Sequence, residues 1–311
     1  MLFRSDYFMG LQVETEHIND EIHIQQDINA FRSSLVYDCI ERAMDLVEGG
    51  SVYSADGGPT AGTISAGDSL AALDEIVFNQ KLLTMEQVLH AMNTNYEDMD
   101  TVPSGPEIRA ILVNKAPKFG NDDERADKWV VELEDYIGSS YRYKYRSSKY
   151  GKGPVPCCYS YSQSPVTGNI AFGKSIGATP DGRKDGQPVN NGISPANGSE
   201  KKGATAACNS VMKLPSIWFQ KGAIFNMRLS KGALDTDENK EKVIAMIKVL
   251  FENYGQQIQF NVVDNKVFKE AMEHPDEYKD LMVRVSGYSA LVTSLSPECQ
   301  MDVINRAELE L

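Results

Sequence analysis

Long apolar runs are missing from this 311-residue chain, and with them the roughly 18 consecutive apolar residues that a membrane-spanning helix needs. Cysteine is scarce: five residues, Cys39, Cys157, Cys158, Cys208 and Cys299, an odd number at irregular spacing. That pattern argues against a disulfide framework and suits a reducing cytoplasm. The adjacent pair Cys157-Cys158 does not make a zinc site alone. The four histidines, His17, His23, His90 and His274, form no HxxxH or HxH pair, so no dedicated metal site is expected, and nothing marks a Ser-His-Asp triad. Basic charge is in deficit, with 31 Lys and Arg against 44 Asp and Glu and a net charge of −13. A polyanion such as DNA is a poor partner for that balance. One basic, tyrosine-rich stretch, Arg142, Lys144, Arg146, Lys149 and Lys152, reads as a solvated helix end. The N-terminus, Met1 to Tyr7, lacks a basic segment followed by an apolar one, so no secretion signal is read. The expectation is a cytoplasmic protein that engages neither membrane nor nucleic acid.

What is present is ordinary globular material, 41% apolar and 24% charged, long enough for one large domain or two smaller ones. Residues 1–50 read as mostly helix, with Ile28, Phe31, Leu35, Cys39, Ala43 and Val47 at helical spacing and Gly49-Gly50 as the stop. After a glycine-rich loop from Gly57 to Gly67, Asp68 is expected to cap a helix through Leu70, Leu73, Ile76 and Val77. Thr84-Met85-Glu86-Gln87 is a capping box for a helix with Val88, Leu89 and Met92 on its apolar side. Pro103 to Pro106 breaks the chain, Ile108 to Val113 starts another helix, and Asp122 to about Tyr145 reads as one long helix. Gly151 to Gly203 is rich in Gly, Pro, Ser and Asn, as ordered site loops or a linker would be. Strands follow at Ile224–Leu229 and Ile258–Val263, around a helix from about Thr236 to Tyr254. A short helix spans Lys266 to Met272, and a last one opens at Ser296-Pro297. This alternation places the chain in the α/β class.

Gly168-Asn169-Ile170-Ala171-Phe172-Gly173-Lys174-Ser175 fits GxxxxGK[ST]. A phosphate-binding loop of that pattern needs a strand before it and a helix beginning at its lysine. Gly177, Pro180 and Gly182 follow too closely for such a helix, which makes a nucleotide-binding module the weakest reading.

Two apolar, β-rich runs, Leu281–Ser286 and Ala290–Leu295, flank Gly287. A turn or bulge explains a glycine in that place. So does radical chemistry. Loss of an α-hydrogen leaves a carbon radical that delocalises into both neighbouring amides, and glycine has no side chain to resist the planar geometry.

Arg284-Val285-Ser286-Gly287-Tyr288-Ser289-Ala290, near the C-terminus and followed by Asp302-Val303-Ile304-Asn305-Arg306, resembles the signature of the glycyl radical enzymes. Gly177 to Lys184, Gly57 to Leu73 and Asn114 to Asp123 are similar to other segments of that family. The resemblance runs from about residue 30 to the end. It implies the second half of a ten-stranded α/β barrel over residues 1–176 and a glycine radical domain over 177–311, with the first half-barrel missing. Gly287 is then the radical store, on a loop formed by Arg284, Val285, Ser286, Tyr288 and Ser289. The resemblance also implies no bound cofactor, but a protein-derived radical installed by an activating enzyme that uses S-adenosylmethionine and an iron–sulfur cluster. A cysteine, becoming a thiyl radical, would attack a small-molecule substrate, in a homodimer when complete. The family's reactions cleave C–C, C–O or C–N bonds, as lyases, dehydratases, decarboxylases or formate acetyltransferases. Ser289-Ala290 looks more like the dehydratase, lyase and decarboxylase branch. Trp218, Phe219 and Phe225 read as packing aromatics rather than a substrate pocket. Cys39-Ile40-Glu41 has the Cys-x-Glu spacing of the family's catalytic loop, but Cys39 reads as a helix-packed core thiol too close to Gly287 in sequence. Cys157-Cys158, adjacent like the cysteine pair of pyruvate formate-lyase, falls in a stretch that resembles the segment after the catalytic loop. The alternative within the family is a radical-storing subunit that complements a separate cysteine-bearing chain.

Overall fold

The computed structural model describes residues 2–54, 56–58, 60–147, 159–306 and 308–309. Cys157, Cys158, Lys149 and Lys152 lie outside the described residues. In chain order the helices are α1 (Leu2–Gln26), α2 (Ala30–Ser34), α3 (Thr63–Ala72), α4 (Met85–Asn93), α5 (Gly105–Asn114), α6 (Glu124–Tyr143), α7 (Gly168–Lys174), α8 (Gly203–Met212), α9 (Asp237–Glu252), α10 (Asn265–Glu273) and α11 (Pro297–Ile304). The strands are β1 (Asn226–Arg228), β2 (Gln259–Asn261), β3 (Met282–Arg284) and β4 (Ser289–Leu291). The chain forms two interleaved compact units. One comprises residues 1–59, 133–162 and 217–221, the other 60–132, 163–216 and 222–311.

In the first unit, α1 buries Met9 and Val13 but leaves Phe8, Leu11, Ile18 and Ile22 exposed. Tyr141 stacks on Tyr159 with ring centroids 4.9 Å apart. Tyr161 donates to Glu134 Oε2 at 2.5 Å and packs against Phe219. Trp218 donates to Asp135 Oδ1 at 2.8 Å, so Trp218 and the buried Phe219 are packing residues. The helix expected through residues 28–47 does not form. Within that stretch α2 is the α-helix, Leu46–Glu48 makes a single 3₁₀ turn, and Asp38 and Ala43 have positive φ. The cause is Asp45, whose carboxylate accepts from Asn29 N–H at 2.9 Å, Ser33 Oγ at 2.7 Å and Val47 N–H at 3.1 Å. Local side-chain bonds of this kind replace the helical ladder. Phe31 and Leu35 are consequently 77% and 73% exposed, while Cys39 is buried in a turn rather than on a helix.

In the second unit, α3 starts at Thr63 after Gly62, five residues before the expected cap. Asp68 therefore lies inside the helix, fully buried, and accepts from Phe119 N–H at 2.7 Å. A π-helical turn over Leu73–Asn79 continues α3. Ala72, Ile76, Val88, Ala91, Ile108 and Leu112 from α3 to α5 form one core. The Thr84 capping box opens α4 as expected, but Leu89 is exposed. Gly67 lets α3 approach α6, since a Cβ there would lie 2.4 Å from Val130 Cγ2. β1 and β2 pair in parallel, Asn226 with Gln259 and Arg228 with Asn261, joined by α9. Phe225, just before β1, is buried. β3 and β4 pair antiparallel, Arg284 with Ser289. Val283 and Val285 fix that hairpin on a second core with Phe268 and Ala271 of α10 and Val303 and Ile304 of α11.

Burial pushes the Asp68 carboxyl up to about 7, against the pull of Lys118 and the Phe119 N–H and with Asp181 and Asp127 adding to the rise. Among the described residues its Oδ2 has no hydrogen-bond partner, and Asp68 lines a cavity of about 490 Å³ with Arg109, Lys118 and Asp181. A raised folded pKa means the stability contribution is full below the ordinary value of 3.8 and is lost as pH rises toward 7. Ionising the buried carboxyl at pH 8 therefore costs the folded state about 4 kcal/mol. Asp68→Asn is expected to match the wild type near pH 4 and to melt several degrees higher at pH 8. Calorimetric melting of both proteins across that range checks the divergence, and parallel curves would refute it.

Candidate functional site

Gly287 lies in the tip that joins β3 to β4, where Val285 N–H donates to Tyr288 C=O at 2.9 Å. It is the second central residue of that turn, and its φ of +77° is the left-handed value such a position calls for. Packing does not demand glycine. A Cβ built there would meet only Ile224 Cδ1, at 3.5 Å, and the residue is exposed. Of the other residues expected to form the loop, Val285 and Ser286 are buried, Arg284 is half-buried, and Tyr288 and Ser289 are exposed.

β2 supplies the loop's anchors. Asn261 clamps the Arg284 backbone, accepting its N–H at 2.8 Å and donating to its carbonyl at 2.7 Å. Gln259 Oε1 accepts the Gly287 N–H at 3.1 Å and Arg284 Nε at 3.0 Å. Arg284 Nη1 also donates to Ser289 Oγ at 3.2 Å. Ser286 Oγ donates to Asn191 Oδ1 at 2.9 Å. Asn191 donates in turn to Asn169 Oδ1 at 3.2 Å, and Asn169 to Asp302 Oδ1 at 3.1 Å. Asp302 forms a buried pair with Arg306 at 3.1 Å. The motif around Gly287 and the downstream Asp302–Arg306 stretch are thus two ends of one buried relay of amides. Among the described residues, the polar side-chain groups bonded to the loop are amides, hydroxyls and one guanidinium. This set orients a backbone without offering a proton donor or acceptor that titrates near neutrality. The 490 Å³ cavity beside Asp68 does not include Gly287 in its wall.

Asn191, Gln259 and Asn261 were not expected from the sequence as site residues. The signal that could have found two of them is the alternation Gln259-Phe260-Asn261 in an otherwise apolar strand, since buried amides on one strand face need partners. The GxxxxGK[ST] segment is itself helical: α7 spans it and ends at Lys174, with Ser175 as its C-cap. No helix starts where a phosphate would need one, and Lys174 Nζ pairs with Glu298 at 2.9 Å. Lys174→Ala is accordingly expected to leave titration calorimetry with ATP unchanged, at no detectable binding; ATP binding that depends on Lys174 would contradict this geometry.

A family model described as pyruvate formate lyase-like matches residues 4–172, and one described as glycine radical matches residues 189–292, which contain the whole hairpin. The chain is 36% identical to "Probable dehydratase YbiW" of Escherichia coli K12, over 97% of its own length and 37% of that protein's. It is 32% identical to trans-4-hydroxy-L-proline dehydratase of Clostridioides difficile, over 97% and 36%. The glycerol-bound form of the B12-independent glycerol dehydratase from Clostridium butyricum superposes with a TM-score of 0.89 at 34% identity, covering 98% of this chain and 37% of that one. The chain therefore spans little more than a third of the length of the relatives it matches. Its α/β architecture is that of these enzymes, and the chain belongs to the glycyl radical enzyme family.

Proposed function

We infer that Gly287 stores the radical of a dehydratase-type glycyl radical enzyme, of which this chain is the C-terminal, radical-bearing portion. The observation that carries the reading is the placement of Gly287 in the matched glycine radical segment: at an exposed hairpin tip, with nothing closer than ordinary contact where a Cβ would point and its N–H held by Gln259. In the proposed cycle an activating enzyme using S-adenosylmethionine and an iron–sulfur cluster removes one α-hydrogen atom from Gly287. Gly287 then regains a hydrogen atom from a cysteine thiol, which becomes the thiyl radical that abstracts hydrogen from substrate. The product radical takes a hydrogen atom back from the cysteine thiol, regenerating the thiyl radical, which then abstracts an α-hydrogen from Gly287 and so returns the radical to it.

The cysteine and the first half-barrel are supplied by polypeptide outside this chain, either as the rest of one enzyme or as a separate subunit. Residues 1–176 would form the second half of the barrel and 177–311 the radical domain, in a homodimer when complete. The exposure of Phe31, Leu35 and Tyr53 in the first unit, and of Gly287 itself in the second, suits a protein with more polypeptide to bury them. Among the relatives, those named as dehydratases include the 36% and 32% matches. This favours C–O cleavage of a small hydroxylated molecule over sulfite-lyase, decarboxylase or acetyltransferase chemistry. Anaerobic activation of the assembled protein, followed by electron paramagnetic resonance and a carbonyl assay on hydroxylated substrates, tests both halves of the reading. Absence of a radical sinks the first half. A radical without carbonyl product sinks the second.

A further inference from the structure

We propose that Gln259 is a positioning residue for the radical, acting through its side-chain oxygen on the Gly287 amide; this rests on the reading of Gly287 above. Gln259 occupies the first position of β2 and is 7% exposed. Three donors converge on its Oε1: Gly287 N–H at 3.1 Å, Arg284 Nε at 3.0 Å and Gln257 Nε2 at 3.2 Å. That convergence fixes which end of the amide is oxygen, because a flipped amide would set its NH₂ against three donors. The NH₂ end donates to Asn226 Oδ1. Asn226 is itself held through its N–H on Ser194 Oγ at 2.8 Å and through its Nδ2 on Asn191 Oδ1 at 3.3 Å. Asn191 Oδ1 is the acceptor of the Ser286 hydroxyl. One rigid set of amides therefore grips the loop on both sides of the Ser286–Gly287 peptide bond.

The grip bears on radical chemistry because of which group it holds. A radical at Cα is stabilised when the amide nitrogen donates density and the carbonyl withdraws it. Donation leaves the N–H more positive than in the closed-shell peptide. A preorganised acceptor aimed at that N–H favours the radical state without reorganisation when the hydrogen atom leaves. Gln259 is neutral, so it does this without introducing a base that could take an α-proton. The same bond sets the direction of the Cα–H bonds, since Gly287 has no side chain to do so. The alternative is that Gln259 merely fills and satisfies β2, in which case its oxygen would not matter to the spectrum of the radical.

The experiment uses the 311-residue chain labelled with ¹⁵N-glycine, the Gly287 resonance being identified by its loss in Gly287→Ala. Gln259→Met removes the acceptor at similar volume, Gln259→Ser removes it at smaller volume, and Gln259→Glu keeps it. Before activation, the Gly287 amide is expected to exchange roughly tenfold faster in the Met and Ser variants, the size expected for losing one hydrogen bond. Glu should stay near wild type, and the other glycine resonances, retained, certify folding. In the anaerobically activated, assembled protein, the ¹⁵N hyperfine coupling and the lifetime of the radical should change in the Met and Ser variants, whereas Glu, which adds the charge that Gln259 avoids, serves for the amide exchange alone. A wild-type radical whose coupling and lifetime are the same in the folded Met and Ser variants overturns the role of Gln259 alone. An activated wild type with no radical overturns the Gly287 reading and this role with it.

Discussion

Anaerobically activated together with its cysteine-bearing complement, the wild-type chain is expected to give a carbon-centred radical signal split by a single α-hydrogen, and Gly287→Ala is expected to give none. Glycine begins with two α-hydrogens and loses one, so the remaining one splits the signal, and growth in deuterated glycine should collapse the splitting. Turnover should fall to background with the signal. The alanine variant is interpretable because its folding cost is small. The added methyl meets only Ile224 Cδ1 at 3.5 Å, which is ordinary contact. The left-handed φ of +77° costs a non-glycine residue about 1 kcal/mol. Thermal unfolding should therefore place Gly287→Ala within a few degrees of wild type. Oxygen adds a second readout: dioxygen should add to the radical carbon and cut the backbone there, removing residues 288–311 and leaving a shorter band on a denaturing gel. A turn-only role for Gly287 predicts no signal and no cut. An intact chain after oxygen exposure of a demonstrably activated complex would end the assignment.

The parts of this picture that could be read from the sequence are those encoded locally. Thr84, Thr236 and Ser296 cap their helices because a hydroxyl reaching an N–H two or three residues on needs no distant partner. The β3–β4 hairpin was legible because two apolar β-rich runs bracket one glycine. Asp68 and the segment around Asp45 were misread for a common reason. A pattern of apolar residues at helical spacing does not show which distant groups a carboxylate within it will take as partners. Asp68 takes the N–H of Phe119, 51 positions away. Asp45 accepts from Asn29 N–H and Ser33 Oγ, 16 and 12 positions before it. The loop's anchors were invisible for the same reason, more strongly. Asn191 meets Ser286 across 95 positions, and Gln259 meets Gly287 across 28. Such pairs arise only once β1, α9 and β2 have brought the two segments side by side.

Gly192→Ala is expected to unfold the second unit at a temperature well below wild type, by contrast with Gly287→Ala, although both glycines have positive φ. At Gly192, with φ of +59°, a Cβ would lie 2.2 Å from the Ile224 carbonyl oxygen and 3.0 Å from that of Gln163. Both oxygens are committed: Ile224 C=O accepts from Ile193 N–H at 2.9 Å, and Gln163 C=O from Ile224 N–H at 3.0 Å. Neither can retreat without breaking a backbone bond, so a side-chain rotation gives no relief. Overpacking against fixed backbone and the left-handed penalty together come to about 3 kcal/mol or more. For a domain of this size that is a drop of roughly 6 °C or more in melting temperature. The damage should spread to the radical loop. Asn190 hydrogen-bonds Ser65 N–H at 3.0 Å and the Gly192 carbonyl at 2.8 Å, and Asn191 receives the Ser286 hydroxyl. Gly192→Ala that still folds at low temperature should therefore show a displaced Gly287 amide resonance, whereas Gly67→Ala, which crowds Val130 at the α3–α6 contact, should destabilise without moving it. A Gly192→Ala protein that melts within about a degree of wild type would refute the close approach of the 190–192 loop to Ile224, and the anchoring of Ser286 through Asn191 with it.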